Sequence, residues 1–175
     1  MRFKDIDLGG HAHHSHALVY FEEARAAYWR EVVGQGSLDE VDFILAEARV
    51  RYHERILYPN DLRGGVRGSL VGKKHFIMEY LAVGECGKEL VPGETTMVMF
   101  DYGKGRAKPV PDEVRRAVED HEGPGSIGKR GPLAARTPGK DLFATRSVIV
   151  WEVREYLIRR PGRDPRERQG FRGCC

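Results

Sequence analysis

The chain has 175 residues, of which 41% are hydrophobic, and this suits one domain with a true core, or one domain with a tail, rather than two full domains. Its formal net charge of +3 is too small to indicate a nucleic-acid-binding protein. The sequence contains no apolar run long enough for a membrane span, no signal-peptide core and no disulfide framework among its three cysteines. We therefore expect a cytoplasmic protein with neither a nucleic acid nor a membrane as partner.

Residues 5–16 carry an unusual concentration of reactive groups: two aspartates, a Gly-Gly pair and four histidines, followed at once by a helical pattern. The glycines predict a turn, and the helix after it would present free backbone N–H groups at its start. A carboxylate or imidazole held beside such N–H groups can act on a carbonyl while they stabilise the developing negative charge. This segment therefore indicates an enzyme that carries out acyl transfer.

Apolar residues at three- and four-residue spacings predict one long helix over residues 15–33. Ser15 is its expected N-cap, and the Gly-Gln-Gly sequence from Gly34 is expected to end it. The pattern then changes to runs of β-branched and aromatic residues separated by turn sequences, at 43–57, 63–71, 74–83 and 94–102. Together with a short strand at the start of the chain, this order predicts the α+β class, with an antiparallel sheet of about five strands around one long central helix.

The last third of the chain has a different composition. Residues 119–141 are rich in glycine, proline and basic residues, which is typical of a linker. Residues 142–158 carry enough apolar side chains for one helix or strand that needs a partner, and the pattern leaves both possibilities open. We expect residues 142–175 to be an extension of unknown role that packs on the domain or on a neighbouring subunit; a basic tail for nucleic acid is the alternative.

The element order and two motifs resemble the hotdog-fold acyl-CoA thioesterases of the 4-hydroxybenzoyl-CoA thioesterase type. Members of that family carry a motif similar to Arg-Phe-x-Asp-x-Asp-x-x-Gly-His-x-Asn-Asn, followed by one similar to Tyr-Phe-Glu-x-Ala-Arg on the central helix. Residues 2–11 and 20–25 match these patterns closely, while residues 94–101 and 108–114 look like the family's last strand and closing segment. The resemblance implies a hotdog domain over residues 1–118.

The resemblance implies the catalytic residues by position. Asp7 matches the family's catalytic carboxylate, which acts on the thioester as a nucleophile or as a general base for water. Gly9 and Gly10 would let the backbone approach the substrate carbonyl, and an N–H near His14 would polarise it. A lone aspartate before Gly-Gly can instead be a turn residue whose side chain caps nearby N–H groups, so both interpretations of Asp7 stay open.

The histidines depart from the family pattern. His13 and His14 stand where Asn-Asn is usual in one branch, and Ala17 stands where that branch has an aromatic residue. Another branch has histidine at the position of His14, which makes His14 the second catalytic candidate, whereas His13 is expected to bind substrate. His11 is expected to hydrogen-bond within the turn. The four histidines also fit a metal-binding pattern, but few acidic residues and no cysteine accompany them, and we expect no physiological metal.

An acyl-CoA substrate needs cations for its phosphates and an apolar slot for its acyl group. The candidates for the phosphates are Arg49, Arg51, Lys73 and Lys74, which lie on or between predicted strands. Candidates for the slot are Tyr20, Tyr28, Phe43 and Tyr52. No separate cofactor is expected, because CoA is part of the substrate.

The resemblance also implies a homodimer whose two sheets join edge to edge, or a homotetramer, and an uncovered sheet edge favours the same arrangement. Two functions of different class remain open on the sequence: a thioesterase that uses Asp7, and a non-catalytic hotdog module that binds acyl-CoA or serves as a structural partner. The related dehydratase reaction is disfavoured, because it would be expected to place its histidine and acid in a different motif.

Overall fold

The computed structural model describes residues 5–34, 42–58, 62–84, 87–123 and 149–153. Its central element is helix α1, His16–Tyr28, which continues as a π-helical turn over Trp29–Val33. The helix stops at Gly34, whose φ of 77° lies in the left-handed region that glycine adopts without steric cost. The predicted long helix is confirmed, and its last turn is wider than an α-helical one.

The strands are β1 Phe43–Val50, β2 Leu62–Val71, β3 His75–Val83, β4 Glu89–Asp101, β5 Arg106–Ala107 and β6 Ile149–Val153. Their order in the sheet is β1-β4-β3-β2-β6, with the short β5 pairing β4 off this path. All neighbouring strands are antiparallel. The α+β class and the antiparallel sheet around one central helix are thus confirmed.

Aromatic packing fixes the position of α1 on the sheet. The ring of Phe21 stacks on that of Tyr80, with centroids 4.5 Å apart. Gly93 permits this close approach, because a Cβ atom there would overlap the Phe21 ring. At the C-terminal end of the helix, Trp29 packs against Phe43 and Phe76, each with a centroid distance of 4.8 Å. Phe43 and Phe76 lie at the starts of β1 and β3, so the start of α1 lies towards the opposite ends of these two strands.

The chain after β1 differs from the prediction, which extends this strand to residue 57. Beyond Val50, the backbone leaves the β1 ladder and turns towards the start of the chain. Its His53 N–H donates to the Leu90 oxygen at 2.9 Å, and the Ala12 N–H donates to the Ile56 oxygen at 2.8 Å. We call residues 51–58 the wall segment. It joins β4 to the N-terminal residues and so flanks the start of α1.

The N-terminal strand is reduced to isolated bridges, Ile6 with Ala12 and His11 with Leu57. The Gly-Gly turn lies between Ile6 and Ala12, so no continuous ladder forms there. The predicted match at residues 2–4 lies outside the described residues. No helix in the described ranges is both long enough and apolar enough to cross a bilayer.

A second helix, α2, covers Asp112–Glu122, where the sequence indicated only a closing segment. It buries Val114 and Val118 against the core. At its end, the Glu122 carboxylate accepts hydrogen bonds from the Tyr28 hydroxyl at 2.8 Å and from the Gly68 N–H at 2.7 Å. Burial raises the pKa of Glu122. The helix continues past residue 118, the predicted end of the hotdog domain.

The predicted C-terminal extension contributes β6, which pairs along β2 from Leu62↔Val153 to Val66↔Ile149. Residues 142–158 thus form a strand over Ile149–Val153, one of the two possibilities that their sequence left open. The greater part of the predicted linker, from residue 124 to 141, and the chain after residue 153 lie outside the described residues.

Candidate active site

Asp7 opens a tight turn that precedes α1. The Gly10 N–H donates to the Asp7 main-chain oxygen at 3.1 Å, and the Asp7 N–H donates to the His11 oxygen at 2.9 Å. Gly10 has a φ of 76°, which a residue with a Cβ atom adopts only under strain. Within the turn, the Gly9 N–H donates to Asp7 Oδ1 at 2.7 Å. One carboxylate oxygen of Asp7 therefore caps the turn.

The second carboxylate oxygen of Asp7 faces a histidine. Asp7 Oδ2 lies 3.3 Å from His11 Nδ1, which is also 3.5 Å from the Ala12 oxygen. Since both neighbours of Nδ1 are acceptors, this nitrogen carries a hydrogen. The His11 ring lies over Gly9, where a Cβ atom would be only 2.8 Å from His11 Nε2. The expectation that His11 hydrogen-bonds within the turn is confirmed, and the ring helps to fix the Asp7 carboxylate.

Most backbone donors at the start of α1 are occupied. The His16 N–H donates to the His13 oxygen at 2.9 Å, the Ala17 N–H to the His14 oxygen at 3.3 Å, and the Ser15 N–H to the His13 Nδ1 atom at 3.3 Å. The His14 N–H finds no acceptor among the residues that the structure describes. It is therefore the donor left for a ligand at the helix start.

Ser15 occupies the predicted N-cap position, directly before the first residue of α1, but its side chain makes no capping hydrogen bond. Its backbone already has helical angles, φ −64° and ψ −24°, whereas a capping serine has an extended backbone that carries its oxygen over the next N–H groups. The Ser15 hydroxyl instead lies 2.8 Å from His13 Nδ1.

Asp5 is a buried carboxylate to which the sequence assigned no role. It is 0% exposed, and its main-chain oxygen accepts the His13 N–H at 2.9 Å. Its carboxylate accepts from the Tyr20 hydroxyl at 3.3 Å and lies 3.7 Å from His16 Nδ1. Asp5 thus ties the N-terminal segment to the first turns of α1. Asp5 and Asp7 are only two residues apart, but the Gly-Gly turn begins at Asp7. This turn is the sequence signal that could have distinguished Asp7, in the turn, from Asp5, which lies before it.

A cavity of about 230 Å³ lies at the start of α1. The N-terminal segment contributes Asp7, His11, Ala12, His13 and His14 to its lining. Helix α1 contributes Ala17 and Tyr20, and the wall segment contributes Tyr52, Glu54, Arg55 and Ile56. Ala17 contributes only a methyl group to this lining. The predicted residues Asp7, His13 and His14 thus come together around one cavity.

Tyr52 connects the two walls of this cavity. Its hydroxyl donates to the His14 main-chain oxygen at 2.7 Å. Loss of hydration raises the pKa of Tyr52, so the phenol keeps the proton that this hydrogen bond needs. The sequence places Tyr20 and Tyr52 among the candidates for the acyl slot. It gives no such role to Glu54 and Arg55, because the pattern continues β1 through them as an ordinary strand.

The residues predicted to bind phosphates lie outside this lining. Arg49 on β1 is exposed and pairs with Glu47 at 2.9 Å, and Arg51 is exposed at the start of the wall segment. Lys73 and Lys74 occupy the turn between β2 and β3, next to Phe76, which packs on the C-terminal end of α1. Within one chain, the structure therefore does not bring Lys73 and Lys74 to the cavity. Their positions in the sequence could not reveal this, because the strand directions were unknown.

Within the parts of the chain that the structure describes, no group of three or more histidine, cysteine or acidic residues could hold a metal ion. The His11 and His13 rings each direct Nδ1 to a neighbour in their own segment rather than to a shared centre. What the site does offer is a fixed carboxylate and an unoccupied backbone donor around one cavity. That combination suits attack on a carbonyl group.

A family model described as the Thioesterase-like superfamily matches residues 1–118. The uncharacterized protein YsmA of Bacillus subtilis (strain 168) is 25% identical over 118 residues, which are 67% of this chain and 80% of that protein. A thioesterase from Thermus thermophilus, solved in complex with coenzyme A and Zn, is 29% identical with a TM-score of 0.63, over 69% of this chain and 87% of that one. A predicted thioesterase from Bacillus stearothermophilus has a TM-score of 0.65 at 19% identity, over 75% and 94% of the two chains, and this likeness shows the fold alone.

Proposed function

Because this chain belongs to the Thioesterase-like superfamily and is a thioester hydrolase, we propose that it hydrolyses an acyl-CoA to the free acid and CoA, with Asp7 as its catalytic carboxylate. One observation carries the proposal: Asp7 lines the same cavity as His14, whose N–H has no acceptor among the described residues. The Thermus thermophilus relative, solved with coenzyme A, supports CoA as the thiol part of the substrate. The Asp-x-x-Gly turn supports assignment to the 4-hydroxybenzoyl-CoA thioesterase type.

In the proposed reaction, the thioester carbonyl oxygen accepts the His14 N–H at the start of α1. On one route, Asp7 attacks the carbonyl carbon and the C–S bond breaks, giving a mixed anhydride and the CoA thiolate; water then hydrolyses the anhydride to the free acid and restores the Asp7 carboxylate. On the other route, Asp7 removes a proton from a water that attacks the carbonyl carbon, and the C–S bond then breaks to release the free acid and CoA. The Gly9 N–H on Oδ1 and the His11 ring beside Oδ2 hold the carboxylate in position for either route. One backbone donor of this kind lowers the barrier by roughly 3 kcal/mol. The His14 ring, exposed at the cavity, assists the leaving thiolate.

The active unit in this proposal is a homodimer. Strand β1 ends the sheet on one side and pairs only β4 within the described chain. Its Ile44 and Leu45 side chains are 36% and 49% exposed. An apolar edge strand of this kind is suited to pairing with the same strand of a second copy.

The test of the proposed function is thiol release from acyl-CoAs with a short, a long and an aromatic acyl group, in the presence of a chelator. Asp7→Asn is the decisive variant, because its amide oxygen can still accept the Gly9 N–H while the charge is lost. Asp101→Asn is the matched control: Asp101 Oδ1 caps a turn in the same way, accepting the Lys104 N–H at 2.9 Å. We expect Asp7→Asn to lower kcat by at least about 100-fold with an unchanged melting temperature, and Asp101→Asn to keep full activity.

Undiminished turnover by Asp7→Asn would exclude Asp7 as the catalytic carboxylate. Wild-type protein that binds CoA esters without releasing thiol would instead support a non-catalytic acyl-CoA-binding module. Undiminished turnover by Asp7→Asn, together with a melting temperature lowered as much as in Asp101→Asn, would assign Asp7 to the turn alone.

A further inference from the structure

His13 has one ring nitrogen committed to its own segment. Its Nδ1 atom lies 2.8 Å from the Ser15 hydroxyl oxygen and 3.3 Å from the Ser15 backbone nitrogen. A backbone N–H can only donate, so Nδ1 must accept, and an accepting ring nitrogen carries no hydrogen. The Ser15 hydroxyl is free to rotate and can donate to the same atom. The neutral His13 ring therefore carries its hydrogen on Nε2.

The other ring nitrogen is available to a ligand. His13 lines the cavity with Asp7 and His14, whereas Ser15 does not belong to that lining. Nε2 has no hydrogen-bond partner among the residues that the structure describes. The His14 ring lies against the His13 ring with centroids 4.0 Å apart, which restricts rotation of the His13 side chain. A hydrogen-bond donor of fixed tautomer is thus presented at the cavity.

We propose that the His13 Nε2–H donates a hydrogen bond to the thioester carbonyl oxygen, beside the His14 N–H, and that Ser15 is the positioning residue that fixes this tautomer. The inference rests on the proposed function and adds a side-chain donor to it. When the carbonyl carbon is attacked, its oxygen gains negative charge, and a second donor already aimed at that oxygen stabilises the charge without reorganising. A neutral imidazole suits this role, because it donates a hydrogen bond without placing a positive charge in the same cavity as the Asp7 carboxylate.

Two substitutions of His13 test the donor role. An asparagine amide, like the imidazole Nε2–H, can donate a hydrogen bond to a carbonyl oxygen. His13→Asn should therefore keep most of the activity, whereas His13→Ala removes the donor. This pair separates a donor role from a need for an aromatic ring, which asparagine cannot replace.

The kinetic test measures kcat and KM for the best substrate of the acyl-CoA panel. We expect kcat to fall about 100-fold in His13→Ala with KM little changed, and to stay within about tenfold of wild type in His13→Asn. His53→Ala is the control, since His53 is an exposed histidine of the wall segment outside the cavity lining. Ser15→Ala should lower kcat less than His13→Ala, and should have no further effect in a His13→Ala background.

Two spectroscopic measurements test the tautomer and the donor directly. Nitrogen NMR of protein labelled at histidine should show His13 protonated on Nε2 in the wild type. Ser15→Ala removes the hydroxyl but keeps the backbone N–H, so this preference should weaken without being reversed. The ketone S-phenacyl-CoA, a thioether that cannot be hydrolysed, should show a carbonyl infrared band that shifts to lower frequency on binding, with the shift reduced in His13→Ala.

Equal kcat in His13→Ala and the wild type would overturn this inference and leave the proposed function in place. If the wild type releases no thiol from any substrate, the proposed function fails, and the ketone decides separately whether His13 donates to a bound carbonyl. A carbonyl band that is the same in wild type and His13→Ala, or a His13 ring protonated on Nδ1, would also overturn the inference.

Discussion

The hydroxyl of Tyr52 lies 2.7 Å from the main-chain oxygen of His14, and this hydrogen bond joins the wall segment to the start of α1. Tyr52 comes from the far side of the cavity, 38 residues after its partner in the chain. Because the His14 N–H is the donor proposed to polarise the substrate carbonyl, a bond to the oxygen of the same residue restrains the backbone on which that donor lies.

Tyr52→Phe should lower activity without unfolding the protein. A hydrogen bond of this type stabilises by about 1 kcal/mol, and loss of that restraint corresponds to about a fivefold decrease in kcat/KM. Tyr102→Phe is the matched control, because the Tyr102 hydroxyl also donates to a main-chain oxygen, that of Phe43 at 3.2 Å, away from the cavity. The measurement is kcat/KM of both variants by steady-state kinetics. Equal values would show that the Tyr52 hydrogen bond does not contribute to activity.

Gly9→Ala should disturb the Asp7 carboxylate. The new Cβ atom would lie 2.8 Å from His11 Nε2 and 3.1 Å from Asp7 Oδ1, so the ring or the carboxylate must move. A displacement of about 1 Å at a catalytic group can lower the rate about 100-fold. Gly103→Ala provides the comparison, since its Cβ atom would make an ordinary 3.4 Å contact with Asp101 Oδ1. We expect activity loss only in Gly9→Ala, with melting temperatures showing that both variants fold; an active Gly9→Ala would contradict this.

Glu122→Gln should change how stability depends on pH. Burial raises the pKa of Glu122 above its ordinary value of 4.5, so the folded state keeps this proton to a higher pH than the unfolded state does. The stabilising contribution of the neutral group is complete below the ordinary pKa and is lost as pH rises through the raised one. The amide of Glu122→Gln can still accept the hydrogen bonds of Tyr28 and Gly68, and it does not titrate.

Denaturant unfolding from pH 4 upwards should therefore show the wild type losing free energy of unfolding relative to Glu122→Gln. Glu119→Gln, an exposed substitution on the same helix, is the control. If the curves of wild type and Glu122→Gln run parallel over this range, the buried carboxyl does not set the pH dependence.

Leu45→Lys should weaken self-association if β1 is the subunit interface. Leu45 is 49% exposed on this edge strand, so the substitution costs the isolated chain little, whereas a lysine at a paired edge must be desolvated. Sedimentation velocity over a range of concentrations would show a dimer for the wild type and a shift towards monomer for the variant. A wild type that sediments as a monomer would contradict the proposed dimer.

The elements with a clear period could be predicted from the sequence. The apolar stripe of α1, and the runs of β-branched and aromatic residues between turn sequences, were sufficient for the α+β class and for the sheet around one helix. The wall segment was missed because its residues are as rich in β-formers as those of β1, and only the backbone hydrogen bonds to Leu90 and Ala12 distinguish the two. Helix α2 was missed although its sequence carries local helix signals: Asp112 and Glu113 lie in the first turn, and Val114 and Val118 are spaced four residues apart.

The candidate site was predictable where it is local. The residues from Asp7 to His14 are adjacent in the chain, and the structure collects them around one cavity. The contact between Ser15 and His13 could not be predicted from the sequence. A serine at a helix start can cap the helix or bond to a neighbouring side chain, and only the backbone angles distinguish the two. Predicting that Lys73 and Lys74 lie away from the cavity requires the directions of β2 and β3 relative to α1. The residue pattern does not give these directions.

The pairing of β6 with β2 changes which strand ends the sheet. In the described chain, Ile149–Val153 lie along β2, so the two ends of the sheet are β1 and β6. Strand β6 comes from beyond residues 1–118, the part of the chain that the family model matches. A protein shortened to those residues would therefore expose the backbone N–H and C=O groups of β2, which are a template for pairing with another chain.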